Sequence, residues 1–301
     1  MTSHQQFTVE STLTYSMPQL AESHNLSFAD YFVPFDMTAE QMADFWRLYH
    51  LDLRRSLVLR TEGGAFVGHA RLAFHGTRAW CGGFGIAAAF RGQGLAHRLA
   101  SHMVATARTA GATLLQLEVL AQNDPARTVY ERAGFVTHRL LTGYVLTPEQ
   151  LAARATDSQR TPHPHPHPHP HPHPEPEPVP LDLVLGDLLA SQAVGQTAPP
   201  PWQREPASLL MLELEGSRLP HPDGSVSSLA FQRTGSLLTV QAAILSDAPT
   251  PADLAGWLTR LLNGAERVRV VNEPVGTRLH GLCQELGAAV LFTQHEMHLR
   301  L

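Results

Sequence analysis

Cysteine is nearly absent from this sequence, which contains Cys81 and Cys283 and no others. Two cysteines cannot build a disulfide framework, and so low a content is typical of a reducing compartment. Residues 1–15 show no basic segment followed by an apolar one, so they do not resemble a secretion signal. No apolar run approaches the roughly 20 residues that a membrane-spanning helix needs. We therefore expect a soluble, cytoplasmic protein without a membrane partner.

Long basic runs are also missing, and the net charge of the chain is −5 at pH 7. Proteins that bind nucleic acid carry a basic face or stripe, so nucleic acid is not an expected partner. The sequence has no glycine loop that ends in Lys-Ser or Lys-Thr, as the Walker loop does. It also lacks the Gly-x-Gly-x-x-Gly fingerprint of dinucleotide-binding folds. These absences argue against two common classes of phosphate-binding protein.

The most informative stretch runs from Phe84 to Ala110 and reads FGIAAAFRGQGLAHRLASHMVATARTA. It begins as a buried strand end, passes through a glycine loop, and continues as a helix with apolar residues at helical spacing. Backbone N–H groups at the start of a helix are unpaired and carry partial positive charge, and Gly92 and Gly94 let a ligand approach them closely. The pattern predicts a phosphate or pyrophosphate site, with a plain strand-to-helix turn as the alternative.

The rest of the first half alternates between strand and helix patterns. Residues before about 30 show little pattern, and residues 31–35 predict a short edge strand because they contain a proline. Thr38 and Gln41 form a capping box before a helix at 39–50, whose aromatic face predicts core packing. Strands are predicted at 56–60, 65–74, 80–86, 113–120, 135–136 and 142–146, and a further helix at 125–133. This order predicts a mixed α/β domain.

The composition changes after residue 147. Six successive His-Pro pairs at 163–174 lie within a proline-dominated segment, residues 161–180. Such a segment cannot form helix or sheet, and it predicts an extended, polyproline-like spacer. Its histidines could bind zinc or nickel weakly, but no fixed geometry holds them together, so no metal site is predicted. We place a first domain at 1–152, a linker at 153–180 and a second domain at 181–301.

The second domain shows the same alternation as the first. Strands are predicted at 209–213, 226–232, 237–245, 268–271 and 289–299, and helices at 251–262 and 275–286. When Gly111 is set on Gly264, the apolar positions of the two halves agree without a gap, although few residues are identical. This agreement indicates a degenerate internal repeat. In this register Gly94 falls on Asp247, whose charge repels an anion, so the second copy is predicted to lack the phosphate site.

Two segments of the first half resemble a known family. The glycine loop, RGQGLA at 91–96, matches the R/Q-x-x-G-x-G/A motif of the GNAT superfamily of N-acyltransferases. The segments LEVLAQN at 117–123 and YERAGF at 130–135 are similar to the family's strand-Asn-helix-Tyr-x-x-x-Gly-Phe segment. The resemblance implies the GNAT fold, a mixed and mostly antiparallel central sheet with flanking helices, here in two tandem copies.

The resemblance also implies a co-substrate, acetyl-CoA or a related acyl-CoA, bound between splayed central strands. The pyrophosphate is expected on the amides of the glycine loop, the pantetheine arm along residues 85–86, and the side chain of Asn123 near the sulfur. The implied cofactor-binding residues are Gly85, Ile86, Arg91, Gly92, Gln93, Gly94, Leu95, Ala96 and Asn123. No metal is required for this chemistry.

Catalysis in this family is direct attack of an amine on the thioester, and Tyr130 occupies the position of the family's general acid. The alternative for this tyrosine is a packed helix aromatic. The strand at 80–86 carries no carboxylate, whereas many members have a glutamate there that serves as the base. Glu118 is the nearest substitute, followed by His69 and His75, and each has a structural role as its alternative.

The resemblance therefore implies an acyl-CoA-dependent N-acetyltransferase that acetylates a primary amine of a small molecule or peptide. The second half is expected to shape the acceptor pocket or to form an intramolecular pseudo-dimer with the first. A non-catalytic acyl-CoA sensor is the alternative, because the strand carboxylate is missing. The acceptor is not identified by the sequence.

Overall fold

The computed structural model describes residues 6–32, 35–155, 175–195 and 199–301. The chain divides into two compact units: unit 1 contains Met1–Arg139 and His295–Leu301, and unit 2 contains Leu140–Gln294. This division differs from the predicted one, since unit 2 begins before residue 153 and the end of the chain belongs to unit 1. The predicted spacer of His-Pro pairs at 163–174 lies outside the described residues. Residues 33 and 34 of the strand predicted at 31–35 also lie outside the described residues. The other residues of that segment form no strand.

The two units are built from twelve strands and nine helices within the described residues. The strands are β1 (Phe7–Ser11), β2 (Leu57–Thr61), β3 (Phe66–His75), β4 (Arg78–Ile86), β5 (Leu114–Leu120), β6 (Val136–Leu146), β7 (Glu177–Val179), β8 (Glu215–Pro220), β9 (Val226–Thr234), β10 (Leu237–Ile244), β11 (Arg267–Pro274) and β12 (Ala289–Arg300). The helices are α1 (Met17–Phe28), α2 (Ala39–Leu48), α3 (Leu95–Thr109), α4 (Asp124–Arg132), α5 (Pro148–Ala155), α6 (Leu181–Ala193), α7 (Pro206–Leu209), α8 (Pro251–Leu262) and α9 (Arg278–Glu285).

Unit 1 contains a mixed, mostly antiparallel sheet with flanking helices. Strands β1 to β4 pair antiparallel in chain order, and β4 pairs parallel with β5. The end of the chain lies beside β5, where Leu301 donates its backbone N–H to the carbonyl of Thr113 at 3.0 Å. Leu99 and Met103 of α3 are fully buried in the same core as Met297 of β12. The predicted fold class is therefore confirmed.

Strands β4 and β5 separate before they end. Their pairing joins Arg78–Cys81 to Leu114–Leu117, although β4 continues to Ile86 and β5 to Leu120. Gly82 is an extra residue in β4, because the register against β3 shifts at this point, and such a bulge bends its strand. The sheet consequently opens between β4 and β5 at the end where the glycine loop begins.

Capping boxes start the first two helices of unit 1. At α2 the Thr38 hydroxyl accepts from the N–H of Gln41 at 3.2 Å, and the Gln41 side chain accepts from the N–H of Thr38 at 2.9 Å, as the sequence predicts. Helix α1 begins with an equivalent box that was not predicted. Polar residues make up much of its buried face, which consists of Leu20, Ala21, Ser23, His24 and Ser27. For this reason the apolar residues of α1 do not recur clearly at helical spacing, and the sequence does not predict the helix.

Unit 2 repeats the element order of unit 1. Strands β7 to β10 pair antiparallel in chain order, β10 pairs parallel with β11, and residues 141–146 of β6 pair antiparallel with β11. When Gly111 is set on Gly264, β5 falls on β11, α4 on α9 and β6 on β12. The two halves therefore share one plan, in the register that the sequence predicts.

Some predicted elements are wrong. The strand predicted at 209–213 is the end of α7 and a turn, and the strand of this region begins at Glu215. Strand β7 lies in the segment predicted to form none, and Pro178 is tolerated there because β7 is an edge strand that pairs with β8. The two closing strands predicted at 135–136 and 142–146 form the single strand β6. In the described parts of the chain, no helix combines the length and apolar character needed to cross a membrane.

Candidate active site

A cavity of about 620 Å³ lies in unit 1 where β4 and β5 separate. The end of α1, the glycine loop and the start of α4 close its sides. The predicted cofactor-binding residues that line it are Gly85, Ile86, Arg91, Gly92, Gly94, Leu95, Ala96 and Asn123. Gln93 is not part of the lining, and its side-chain amide donates to the carbonyl of Ala89 at 3.5 Å. One cavity therefore brings together eight of the nine predicted cofactor-binding residues, whereas the predicted catalytic residues Tyr130 and Glu118 are not part of its lining.

The glycine loop presents bare backbone to this cavity. Gly92 and Gly94 both have φ of +75°, a left-handed conformation that favours glycine, and a Cβ on either would meet no other atom within 4 Å. Gly94 is the N-cap of α3, and no side chain caps that end of the helix. No side chain caps the first N–H groups of α3, and the space at Gly92 and Gly94 is open, which are the features of an anion site at the start of a helix.

Arg91 ties the loop to the rest of the site. Its Nε donates to the carbonyl of Ile86 at 2.9 Å, and its Nη2 donates to the carbonyl of Ser27 at 3.1 Å. Its Nη1 donates to the carboxylate of Asp30 at 2.6 Å, and this hydrogen bond lowers the pKa of Asp30. The guanidinium therefore links α1, β4 and the loop, which makes Arg91 a positioning residue.

Asn123 lines the cavity at the start of α4. Its side-chain oxygen accepts from the N–H of Ala126 at 3.3 Å and so caps the helix. Its side chain also hydrogen-bonds to Tyr31, a residue after α1 that was predicted to lie in a strand and not in the site. Burial raises the pKa of Tyr31, and the hydrogen bond from Asn123 acts in the opposite sense. The amide of Asn123 is therefore held in place from two sides.

Tyr130 is a buried residue of α4, with 5% of its surface exposed. Its ring packs edge-on against Phe84 of β4, with ring centres 5.6 Å apart. Burial raises the pKa of the Tyr130 hydroxyl well above 10, and the neighbouring Cys81 and Tyr31 raise it further. The hydroxyl therefore stays protonated at neutral pH, although so high a pKa also makes it a weaker acid, and the packed ring contributes to the core.

Glu118 projects from the face of β5 opposite its buried neighbours Leu117 and Val119. The indole N–H of Trp80 donates to its carboxylate at 2.8 Å and fixes its orientation. His69 is buried, and burial lowers its pKa well below 6.5, so its imidazole is neutral. His75 lies at the other end of β3 from His69, beside the ring of His50.

Arg71 was not singled out from the sequence. It lies on β3, is 2% exposed, and packs its guanidinium over the Phe45 ring at 5.0 Å. Its Nη2 donates to Nδ1 of His24 at 3.1 Å. Burial lowers the pKa of Arg71 to about 10, and burial and Arg71 together lower that of His24 to about 3. A side chain at Gly83 would collide with this guanidinium, which explains the glycine at that position of β4.

Comparisons with known proteins agree with this geometry. Residues 20–135 match the sequence model of the Acetyltransferase (GNAT) family. A GCN5-related N-acetyltransferase from Sphaerobacter thermophilus superposes with a TM-score of 0.66 at 17% identity, over 97% of this chain and 95% of that one. A tandem GNAT protein from the clavulanic acid biosynthesis pathway superposes with a TM-score of 0.63 at 13% identity, over 98% of each chain.

A third similar structure is a GCN5-related N-acetyltransferase from Anabaena variabilis. It has a TM-score of 0.61 at 16% identity, over 98% of this chain and 73% of that one. No curated protein sequence matches the chain. At such identities the structures establish a fold, and the segment that contains the cavity is the one that matches the family model. Residues 20–135 therefore resemble the GNAT family, and the chain has the GNAT fold in two tandem halves.

Proposed function

We propose that the protein is a cytoplasmic N-acetyltransferase that moves an acetyl group from acetyl-CoA to a primary amine of a small molecule or peptide. The observation that carries the proposal is the cavity between the separated ends of β4 and β5, which reaches the bare amides of the glycine loop. The match of residues 20–135 to the GNAT family model supports acyl transfer in general. The identity of the acetyl donor, the class of amine and the roles of the site residues are part of our proposal.

The residues of the cavity fit coenzyme A. The first N–H groups of α3, opened by Gly92 and Gly94, would hold the pyrophosphate. The edge of β4 at Gly85 and Ile86 has lost its pairing with β5, so the backbone of this edge, apart from the Ile86 carbonyl that Arg91 already bonds, would pair with the amides of the pantetheine arm. Asn123 would bind near the sulfur.

Acetyl-CoA supplies an activated thioester when bound. In the transfer, the amine nitrogen forms a bond to the carbonyl carbon and the carbon–sulfur bond breaks. Tyr130 would donate its hydroxyl proton to the departing sulfur, and the raised pKa means that this hydroxyl is protonated before the transfer. Glu118 would accept the proton that the amine loses. The indole N–H of Trp80 holds the Glu118 carboxylate in one orientation for this step.

The decisive experiment is a steady-state assay with acetyl-CoA against a panel of amines, on the parent chain and on Tyr130→Phe. Loss of a general acid lowers kcat by about 100-fold or more, while the affinity for CoA stays unchanged. Tyr144→Phe is the matched control, because Tyr144 is a buried tyrosine of unit 2 that hydrogen-bonds to His280 at 2.8 Å. Tight CoA binding without turnover of any amine would instead identify a non-catalytic acyl-CoA sensor.

A further inference from the structure

Three side chains of unit 1 converge outside the cavity described above. His138 lies on β6, and Glu296 and His298 lie on β12. Each offers one ligand atom, a histidine nitrogen or a carboxylate oxygen, and these atoms all lie within 4.8 Å of one another. Nitrogen and oxygen atoms at this separation from one another can share a small cation after modest side-chain rotation.

The strand geometry explains why these groups meet. Met297 is fully buried in the core of unit 1, so Glu296 and His298 project together from the opposite face of β12. Strand β6 is the neighbour of β12 in the sheet, and it places His138 beside His298. The two imidazole rings stack with their centres 4.2 Å apart and their planes 14° apart.

Glu296 is the most buried of the three residues in the cluster. Its side chain is 3% exposed, and Arg139 donates to one carboxylate oxygen through Nε and Nη2, each at 2.8 Å. The other oxygen faces Nε2 of His298 at 2.8 Å. Two lone pairs at this distance repel each other, so a proton or a metal ion must join them. Arg139 meanwhile fixes the carboxylate, as outer-shell partners of metal ligands commonly do.

The ligand set selects the metal. Two histidines and one glutamate, with a fourth position left for water, are a recurrent set for Zn²⁺. Mg²⁺ and Ca²⁺ prefer oxygen ligands and do not fit two imidazoles. We propose that His138, Glu296 and His298 bind one divalent transition metal ion, Zn²⁺ by preference. This site differs from the sequence-based prediction of no metal site. A Glu-x-His pair on one strand does not by itself indicate a metal site, and the second histidine comes from β6, which is distant in sequence.

The test has to separate this site from the histidines of the His-Pro pairs. We would use the full-length chain in which these six histidines are replaced by glutamine, and titrate it with Zn²⁺ and with Co²⁺. The expected result is one bound Zn²⁺ per chain, a visible Co²⁺ absorption band, and a higher Tm in the presence of Zn²⁺.

Variants of the cluster then decide the assignment. His138→Ala and His298→Ala should each weaken Zn²⁺ binding by about tenfold or more and abolish the rise in Tm. His295→Ala is the matched control on the same strand and should leave binding unchanged. The proposal is overturned if the chain without the His-Pro histidines binds no Zn²⁺, or if both variants bind it as tightly as their parent. Because His138 is exposed, its variant tests the proposal even where others disturb folding.

Discussion

Arg91 and Asp30 form an ion pair at 2.6 Å between the glycine loop and the residues after α1, and both side chains are largely exposed. Exposed pairs of this kind contribute little to stability. The same guanidinium, however, also donates to the carbonyls of Ile86 and Ser27. These two bonds do not depend on Asp30, so the pair and the carbonyl bonds can be tested separately.

We expect Arg91→Ala and Arg91→Lys each to weaken acetyl-CoA binding by about tenfold, because neither side chain can make all three bonds that hold the loop. Asp30→Asn should weaken it by no more than about twofold, since the carbonyl bonds remain. Isothermal titration with CoA measures all three variants. If Asp30→Asn and Arg91→Ala were equally damaging, the ion pair itself would be what holds the loop.

Gly94→Ala should impair CoA binding more than it impairs folding. The left-handed φ costs an alanine about 1 kcal/mol of stability, and the added Cβ enters the space above the amides of α3. We expect CoA affinity to fall by about tenfold or more, which is the loss of one charge-assisted hydrogen bond.

Gly76→Ala is the control for this change. Gly76 lies in the turn between β3 and β4 with φ of +60° and open space at its Cβ, so its variant carries the same kind of backbone strain away from the cavity. Its thermal stability should fall as in Gly94→Ala, while its CoA affinity stays at the parent value. Equal losses of CoA affinity in both variants would show that backbone strain alone causes the loss, and that the space above the amides of α3 plays no part.

The parts of the site that could be predicted from the sequence are those whose residues lie in one continuous stretch. The glycine loop and α3 are contiguous, and their glycines and helical period are visible in one stretch. The repeat register was predictable for a similar reason, because Gly111 and Gly264 end corresponding helices at positive φ. Local conformation and local periodicity carry over to the fold without knowledge of any partner.

The rest depends on partners that are distant in sequence. Residues 295–301 belong to unit 1 because they lie beside β5, and no local sequence pattern predicts this position. Arg71 and His24 are polar residues buried against each other, and each would be assigned to the surface on its own. Tyr31 is tied to Asn123 only once α1 and α4 are in place. These contacts join residues that are far apart in sequence, so no local pattern predicts them.

Both cysteines should be unreactive in the native protein. Cys81 and Cys283 are buried, and burial raises their pKa values to about 11 and about 12. Only the thiolate is nucleophilic, and at pH 8 it forms no more than about one part in a thousand of either thiol. Ellman's reagent should therefore release colour slowly from the folded chain and titrate both thiols in guanidinium chloride. A fast native reaction that disappears in Cys81→Ala would show that this thiol is exposed to solvent in the folded protein.

Stability should fall in mild acid because His24 is buried as a neutral imidazole. Burial, reinforced by Arg71, lowers its pKa from 6.5 to about 3. The unfolded chain gains a proton at this residue below pH 6.5, and the folded chain does not until about pH 3. The free energy of unfolding therefore decreases as the pH falls through this window, by up to about 1.4 kcal/mol per pH unit from this residue.

His24→Gln removes this titration while offering one acceptor to Arg71 and one donor to the carbonyl of Phe35, the partners of the native imidazole. Urea unfolding at several pH values between 4.5 and 7 should give a shallower dependence for this variant than for the parent. His102→Gln is the control, because this side chain is exposed on α3 and its replacement leaves the buried His24 in place, so its curve should keep the steep dependence of the parent. Three parallel curves would mean that His24 is protonated in the folded state, and the neutral Nδ1 that accepts from Arg71 could then not exist.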